Sequence, residues 1–322
     1  MMNAAEIDLI DRYQTLTERL RQAEAHHGRA EGSVSLVAVS KTYPAGYIRT
    51  VATQGQRDFG ENQIQDAMTK IPVLTDLSCS WHFIGPIQSN KCRDIALHFD
   101  WVHSVDRAKV ARRLSDLRPA GAEPINIFIQ VNLQNEATKS GVLPEELGVL
   151  IDEVKNLPNL SLRGLMAIPA PETLFDHQRA TFARLRELLQ ATNREHQTNM
   201  DCLSMGMTDD LEAAVAEGAT HVRVGTAIFG PLGSGQYKLF RKDTADGNGE
   251  KEERAVGFFS YAFLDEASVD GYWKKPLSTR IWKNLPEDGE LYVGDNGDNH
   301  GSTGPGDDVL IGDPGGKQGL IA

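Results

Sequence analysis

Seven positions in this 322-residue chain could do chemistry together: Lys41, Asn62, Ser204, Gly206, Arg223, Gly225 and Thr226. Lys41 closes the run Ser35-Leu36-Val37-Ala38-Val39-Ser40-Lys41, which is apolar and valine-rich until its last two residues. Such a run reads as a buried strand of a parallel sheet, with the lysine at the carboxyl end, where α/β folds gather their ligands. Burying an unpaired ammonium is costly, so this lysine either snorkels to the surface or serves a ligand. A neutral lysine amine attacks carbonyl carbons, and burial near other cations lowers its pKa toward that state. Ser204 with Gly206, and Gly225 with Thr226, place hydroxyls and glycine turns at the ends of two later apolar runs. Turns of that kind suit a phosphate held by backbone N–H groups. Arg223 is either half of a surface ion pair or a permanent cation aimed at the same place. Asn62 follows Phe59-Gly60-Glu61 at another strand-like end.

The elements that must position these residues follow from periodicity. Ile7, Ile10, Tyr13, Leu16 and Leu20 recur at helical spacing, so residues 3–27 predict an amphipathic helix ahead of the first strand. Seven further strand-like runs follow: Arg57 to Gly60, Trp81 to Gly85, Trp101 to Val105, Ile125 to Val131, Leu162 to Ile168, Asp201 to Met205 and His221 to Gly225. Helical stretches separate them, with Asp106 and Thr208 expected as caps. Eight strands, each followed by a helix, predict an α/β fold of the (β/α)8 TIM-barrel type, with the doubly wound open sheet as the alternative. No GxGxxG follows the first strand, which removes the main support for dinucleotide binding. A barrel would bring all the strand ends to one mouth. A lysine at the first strand and phosphate-type turns at the seventh and eighth then point to a phosphorylated aldehyde. Pyridoxal 5'-phosphate (PLP), held as a Schiff base on Lys41, is the candidate cofactor. Arg223 facing its pyridine nitrogen would keep that nitrogen unprotonated and the ring a poor electron sink.

Composition bounds the partners. A net charge of -12 argues against nucleic acid, and no apolar run is long enough to span a bilayer. Glu6, Asp8 and Asp11 interrupt the amino terminus, which therefore does not read as a signal peptide. Three cysteines without CxxC spacing exclude a disulfide framework and a cysteine-rich metal site, and suit a cytoplasmic setting. Residues 1–232 read as the barrel. Residues 233–322 hold 16 of the 30 glycines and read as a Gly/Asp-rich, poorly ordered and partly disordered extension. Gly294-Asp295-Asn296-Gly297-Asp298 hints at calcium but lacks the glutamate of a complete loop, so no metal is expected. His82 reads as a satisfied core histidine, while His103 and His221 have no acid nearby in sequence. The role of Lys139 stays open.

The order of motifs resembles the YggS/PROSC family of pyridoxal phosphate homeostasis proteins, which is related to the barrel of alanine racemase. The matching stretches are Val39-Ser40-Lys41-Thr42, Phe59-Gly60-Glu61-Asn62, Trp81 through Lys91, Lys139-Ser140-Gly141, Arg163 through Pro169, Leu203 through Asp210 and Val222 through Gly230. The resemblance spans about residues 5–232. It implies that Lys41 is the Schiff-base lysine and that Ser204, Gly225 and Thr226 hold the phosphate. It further implies that Arg223 approaches the pyridine nitrogen, that Asn62 neighbours the ring, and that the protein is a monomer. The family usually ends soon after the Gly225 to Gly230 motif, so the extension is atypical. Two functions remain. One is a PLP-binding homeostasis protein with no or negligible turnover, whose partners would include apo PLP-dependent enzymes. The other is an amino-acid racemase of the alanine racemase type. Racemisation needs an acid–base group on each face of the substrate Cα, and the barrel offers no evident tyrosine for the second face. Tyr43 stands two residues after Lys41, and Tyr237, Tyr261, Tyr272 and Tyr292 lie in the extension. The homeostasis reading is therefore favoured.

Overall fold

The computed structural model describes the backbone of residues 4–136, 139–230, 236–242, 253–260, 290–294 and 308–311. The chain divides into two compact units, Met1–Gly230 and Pro231–Ala322. In the first, a 23-residue helix α1 (Ala4–His26) precedes β1 (Ser35–Val39). There follow α2 (Ala45–Thr53), β2 (Asp58–Glu61), α3 (Ile64–Lys70), β3 (Ser80–Phe83), α4 (Cys92–His98), β4 (Trp101–Val105) and α5 (Ala108–Leu117). Then come β5 (Ile125–Gln130), α6 (Leu147–Val154), β6 (Leu160–Met166), α7 (Phe175–His196), β7 (Cys202–Ser204), α8 (Leu211–Ala216), β8 (His221–Val224) and a single turn, α9 (Thr226–Phe229). All eight strands are parallel. Pairing of Ser35, Leu36, Val37 and Ala38 with His221, Val222, Arg223 and Val224 closes them into a barrel, which settles the choice against an open sheet.

Side chains alternate faces along a strand, so the closed sheet has two apolar layers. Leu36 and Ala38 of β1 join the large core between the strands and the helices, with Ile48, Phe59, Leu165 and Phe182. A smaller cluster of Phe128, Met166 and Cys202, with Trp101 against it, is separate from that core. Tyr13, Leu16 and Leu20 of α1 are buried in the large core as their spacing predicts, but Ile7 is 49% exposed and Ile10 only partly buried, and Leu9 fills the first turn's place in the core instead. Arg19 clasps Glu212 of α8 through two bonds of 2.6 Å, so α1 belongs to the barrel unit.

Two expected caps are corrected. Arg107, not Asp106, precedes α5, and the Asp106 carboxylate accepts from the Arg107 guanidinium instead. The helix after β7 begins at Leu211, and it is Asp210 that accepts the Met207 N–H at 2.6 Å, with Thr208 outside the helix. In the second unit, β9 (Gln236–Lys242), β10 (Glu253–Ser260), β11 (Glu290–Gly294) and β12 (Asp308–Ile311) form an antiparallel sheet in the order β10-β9-β11-β12. These strands stand where the sequence reads as a poorly ordered extension. The residues between them, including the calcium-like Asp295 to Asp298, lie outside the described residues. Among the described residues, no helix is long and apolar enough to cross a membrane.

Leu20 is wholly buried, so Leu20→Ala should lower the unfolding free energy by about 2–5 kcal/mol. The urea midpoint reads this out, and an unchanged midpoint would show that α1 does not share the core.

Candidate functional site

The sequence-predicted positions gather on one arc of the barrel wall. β7, β8, β1 and β2 are consecutive neighbours, and each delivers its residue at the carboxyl end. Ser204 ends β7, Gly225 and Thr226 follow β8, Lys41 stands two residues past β1, and Asn62 one past β2. Lys41 also falls on the parity of Val37 and Val39, opposite to that of the core-filling Leu36 and Ala38. Gly206 and Gly85 explain how the backbone comes so close. A Cβ on Gly85 would sit 2.0 Å from the Asn62 carbonyl oxygen, and Gly206, at φ +93°, lies where a Cβ would meet Ala214 at 2.5 Å. The Gly206 carbonyl accepts the Arg223 N–H at 2.9 Å, so the two phosphate-type turns are tied together.

Lys41 is half-buried, and its two chain neighbours are held from below. The wholly buried ammonium of Lys70 donates to the Ser40 carbonyl at 2.8 Å, to Glu61 Oε1 at 2.9 Å and to Asp66 Oδ2 at 2.6 Å. Asp66 Oδ2 also accepts the Thr42 N–H at 2.8 Å, and the Ser40 hydroxyl donates to Glu61 Oε1 at 2.6 Å. Thr42 adopts φ +68°, a left-handed conformation rare for a β-branched residue. Two carboxylates thus share one ammonium. Glu61 is the more deeply enclosed and its Oε2 has no partner, so burial pushes its carboxyl up to about 7, against the pull of Lys70.

A second polar set lies inside the barrel. Arg223 is 5% exposed, and among the described residues no carboxylate forms an ion pair with it. Its Nη1 donates to Ser204 Oγ at 2.6 Å and its Nη2 to the Ala167 carbonyl at 3.1 Å. Burial brings its pKa down to about 10, which still leaves a cation at neutral pH. Ser204 Oγ lies 2.7 Å from His103 Nδ1, His103 Nε2 lies 2.9 Å from His82 Nδ1, and His82 Nε2 lies 3.0 Å from Asp58 Oδ1. Burial, then the charges of His82, His221 and Arg223, hold His103 well below the usual imidazole range, and burial takes His221 to about 3.

The surface ion pair that Arg223 would ordinarily suggest is therefore replaced by a buried cation. His82 is a satisfied core histidine, and its acid, Asp58, lies on the adjacent strand 24 residues earlier. Lys139 forms an ion pair with Glu136 at 2.8 Å. Tyr43 donates its hydroxyl to the Gly230 carbonyl at 2.8 Å, and burial raises its pKa to about 12. Sequence reasoning missed Asp66 and Lys70. Their i,i+4 spacing just after Glu61 was the available signal.

Residues 12–232 match the model of the alanine racemase N-terminal domain. The pyridoxal phosphate homeostasis protein of Pseudomonas aeruginosa is 58% identical over 212 residues, 66% of this chain and 90% of the relative. That of Escherichia coli strain K12 is 45% identical over 226 residues, 69% of this chain and 96% of the relative. The chain belongs to the pyridoxal phosphate homeostasis protein family. Among solved structures, PipY of Synechococcus elongatus with PLP bound superposes with a TM-score of 0.59 at 38% identity, covering 66% of this chain and all of PipY (100%). Alanine racemase from Corynebacterium glutamicum, at 18% identity and a TM-score of 0.52, shares the fold. The family match ends at residue 232, so the antiparallel sheet of the second unit lies beyond it.

Glu61 makes the pH dependence of this family member testable. Its carboxyl is raised from 4.5 to about 7 on folding, so between those values the folded state binds more protons than the unfolded one. Its contribution to stability is fully present below pH 4.5 and is lost as pH rises through about 7. Glu61→Gln should flatten the slope of thermal stability over that window. A slope identical to that of the wild type would remove Glu61 as its source.

Proposed function

We propose that this chain binds pyridoxal 5'-phosphate at the carboxyl mouth of the barrel, covalently through Lys41, and serves intracellular PLP homeostasis with no or negligible turnover. The observation that carries the reading is Lys41 itself, a half-buried lysine whose two neighbours are fixed by a buried charge cluster. Its strand pairs with that of Arg223, a buried arginine without an ion pair among the described residues, and this arginine with the two glycine turns supports a donor set for an anionic ligand bearing an aldehyde. The PLP-bound PipY relative supports the choice of cofactor.

When bound, the cofactor supplies an aldehyde that a lysine amine captures and a ring that withdraws electrons. The residues of this chain do the rest. Gly225 and Thr226 open the turn of α9, whose first N–H groups have no intrahelical acceptor, which supports a phosphate-holding role for them. Gly206 ties that turn to the one after β7. Asn62 stands next to Lys41 around the barrel, held by the close approach of Gly85. Arg223 donates and does not accept, so a pyridine nitrogen facing it stays unprotonated and carbanion chemistry is not promoted. Tyr13 and Tyr43 have their hydroxyls committed to Gln56 and Gly230, which supports holding the cofactor over racemising a substrate. A monomer in the cytoplasm that exchanges PLP with apo PLP-dependent enzymes is consistent with this reading.

The purified wild type should show the visible absorbance of a lysine-bound pyridoxal group, and borohydride should fix the cofactor to the chain. Lys41→Ala should abolish both, with the melting temperature little changed. A band persisting in Lys41→Ala would sink the assignment, and robust Lys41-dependent racemisation of alanine would replace holding with catalysis.

A further inference from the structure

Inside the barrel the buried Arg223, Ser204, His103 and His82 and the partly exposed Asp58 form one continuous chain of contacts, with every link between 2.6 and 3.0 Å. It crosses the barrel interior from β8 and β7 through β4 and β3 to the first residue of β2. Its two ends are chemically opposite. A guanidinium can only donate, and a carboxylate can only accept. With one hydrogen on each imidazole, every donor points the same way: Arg223 to Ser204, Ser204 to His103, His103 to His82 and His82 to Asp58. The Ser204 hydroxyl proton is then spent on His103, and one of its lone pairs on Arg223. Ser204 itself has no exposed surface. That arrangement leaves its hydroxyl no hydrogen to donate to a phosphate. It gives Arg223 a fixed direction, because the Ala167 carbonyl and Ser204 together hold both terminal nitrogens.

We propose that Ser204, His103, His82 and Asp58 are a positioning chain that aims Arg223 at the cofactor ring, and that Ser204 is not a phosphate ligand. The proposal rests on PLP occupying the barrel mouth. It assigns a task to three buried polar residues that a holding site would not otherwise need. The Asp58 end anchors the chain: burial pulls its carboxyl upward, the hydrogen bond from His82 pulls it down, and the net shift is downward, so Asp58 stays an acceptor. His221, whose ring lies 6.0 Å from that of His103, stands outside the chain, since its Nδ1 pairs with the Thr220 hydroxyl.

Binding of PLP and of pyridoxal, which lacks the phosphate, to the full chain separates the two roles of Ser204. The chain requires Ser204→Ala to weaken both ligands by the same factor, about tenfold for one hydrogen bond to a charged group. It also requires the change to have no further effect in an Arg223→Met background, because the two residues act as one. His103→Phe, one link further out, should reproduce the affinity and absorption maximum of Ser204→Ala. If that variant melts early, His103→Asn tests the same link. A loss confined to PLP would make Ser204 a phosphate ligand and overturn the proposal. So would additivity with Arg223→Met, unchanged affinity in Ser204→Ala, or wild-type behaviour in both His103 variants. A wild type that binds neither ligand would overturn the cofactor reading and this inference with it. A wild type that binds PLP while Ser204→Ala loses PLP alone overturns only the chain.

Discussion

One ammonium sets the geometry of the lysine that matters. Lys70 is 2% exposed and spends its three hydrogens on the Ser40 carbonyl and two carboxylates, one of which in turn fixes the Thr42 amide. Buried ion pairs contribute little net stability, because desolvation offsets most of the attraction. An apolar replacement of this cluster could leave the fold equally stable, yet it would release the backbone on both sides of Lys41. The cluster is better understood as a clamp than as a source of folding energy. It also accounts for Glu61, whose second oxygen stays without a partner because the one cation available is already shared.

The inside of the barrel extends the same economy of charge. Barrel interiors are ordinarily filled by branched apolar side chains in layers. Here Phe128, Met166, Cys202 and Trp101 fill part of the space, and His82, His103 and His221 stack among the aromatic rings, His82 lying parallel to Trp101 at 5.5 Å. Burial, with the charges nearby, holds His103 and His221 below the usual imidazole range, while Arg223 stays a cation among them. A cation without a carboxylate is expensive to bury, and an anionic or electron-rich ligand repays that cost.

The barrel was legible in the sequence because its signal is local. Each strand is a short apolar run, each helix has its own period, and the eightfold alternation needs no long-range knowledge. Closure was not legible, since it depends on Ser35 to Ala38 finding His221 to Val224 across the chain. The strand-end residues were legible for the same local reason: Lys41, Ser204 and Arg223 interrupt apolar runs with groups that are costly to bury. The partners of those residues were hidden. Asp58 and His82 are 24 positions apart, and His103 and Ser204 are 101 apart, so only the register of the barrel brings them within 3.0 Å. The caps went wrong at Asp106 and Thr208 because the helices start one and two residues later than those positions require, at N-caps Arg107 and Asp210 that make no side-chain cap bond. The four strands of the second unit were not legible as strands, because their glycine and aspartate surroundings dominate the composition, although the aromatic patch from Phe258 already hinted at a small subdomain.

Thr42 carries a consequence for how this site can change over time. A β-branched residue held at φ +68° raises the energy of the folded state by about 1–3 kcal/mol. Glycine at that position would relieve the strain and make the protein easier to fold. The kink would then be one of many conformations open to the chain, and the lysine beside it would sample them too. Stability and order at this turn therefore pull in opposite directions. A lineage that drifts toward greater robustness here would do so by blurring the position of the Lys41 amine.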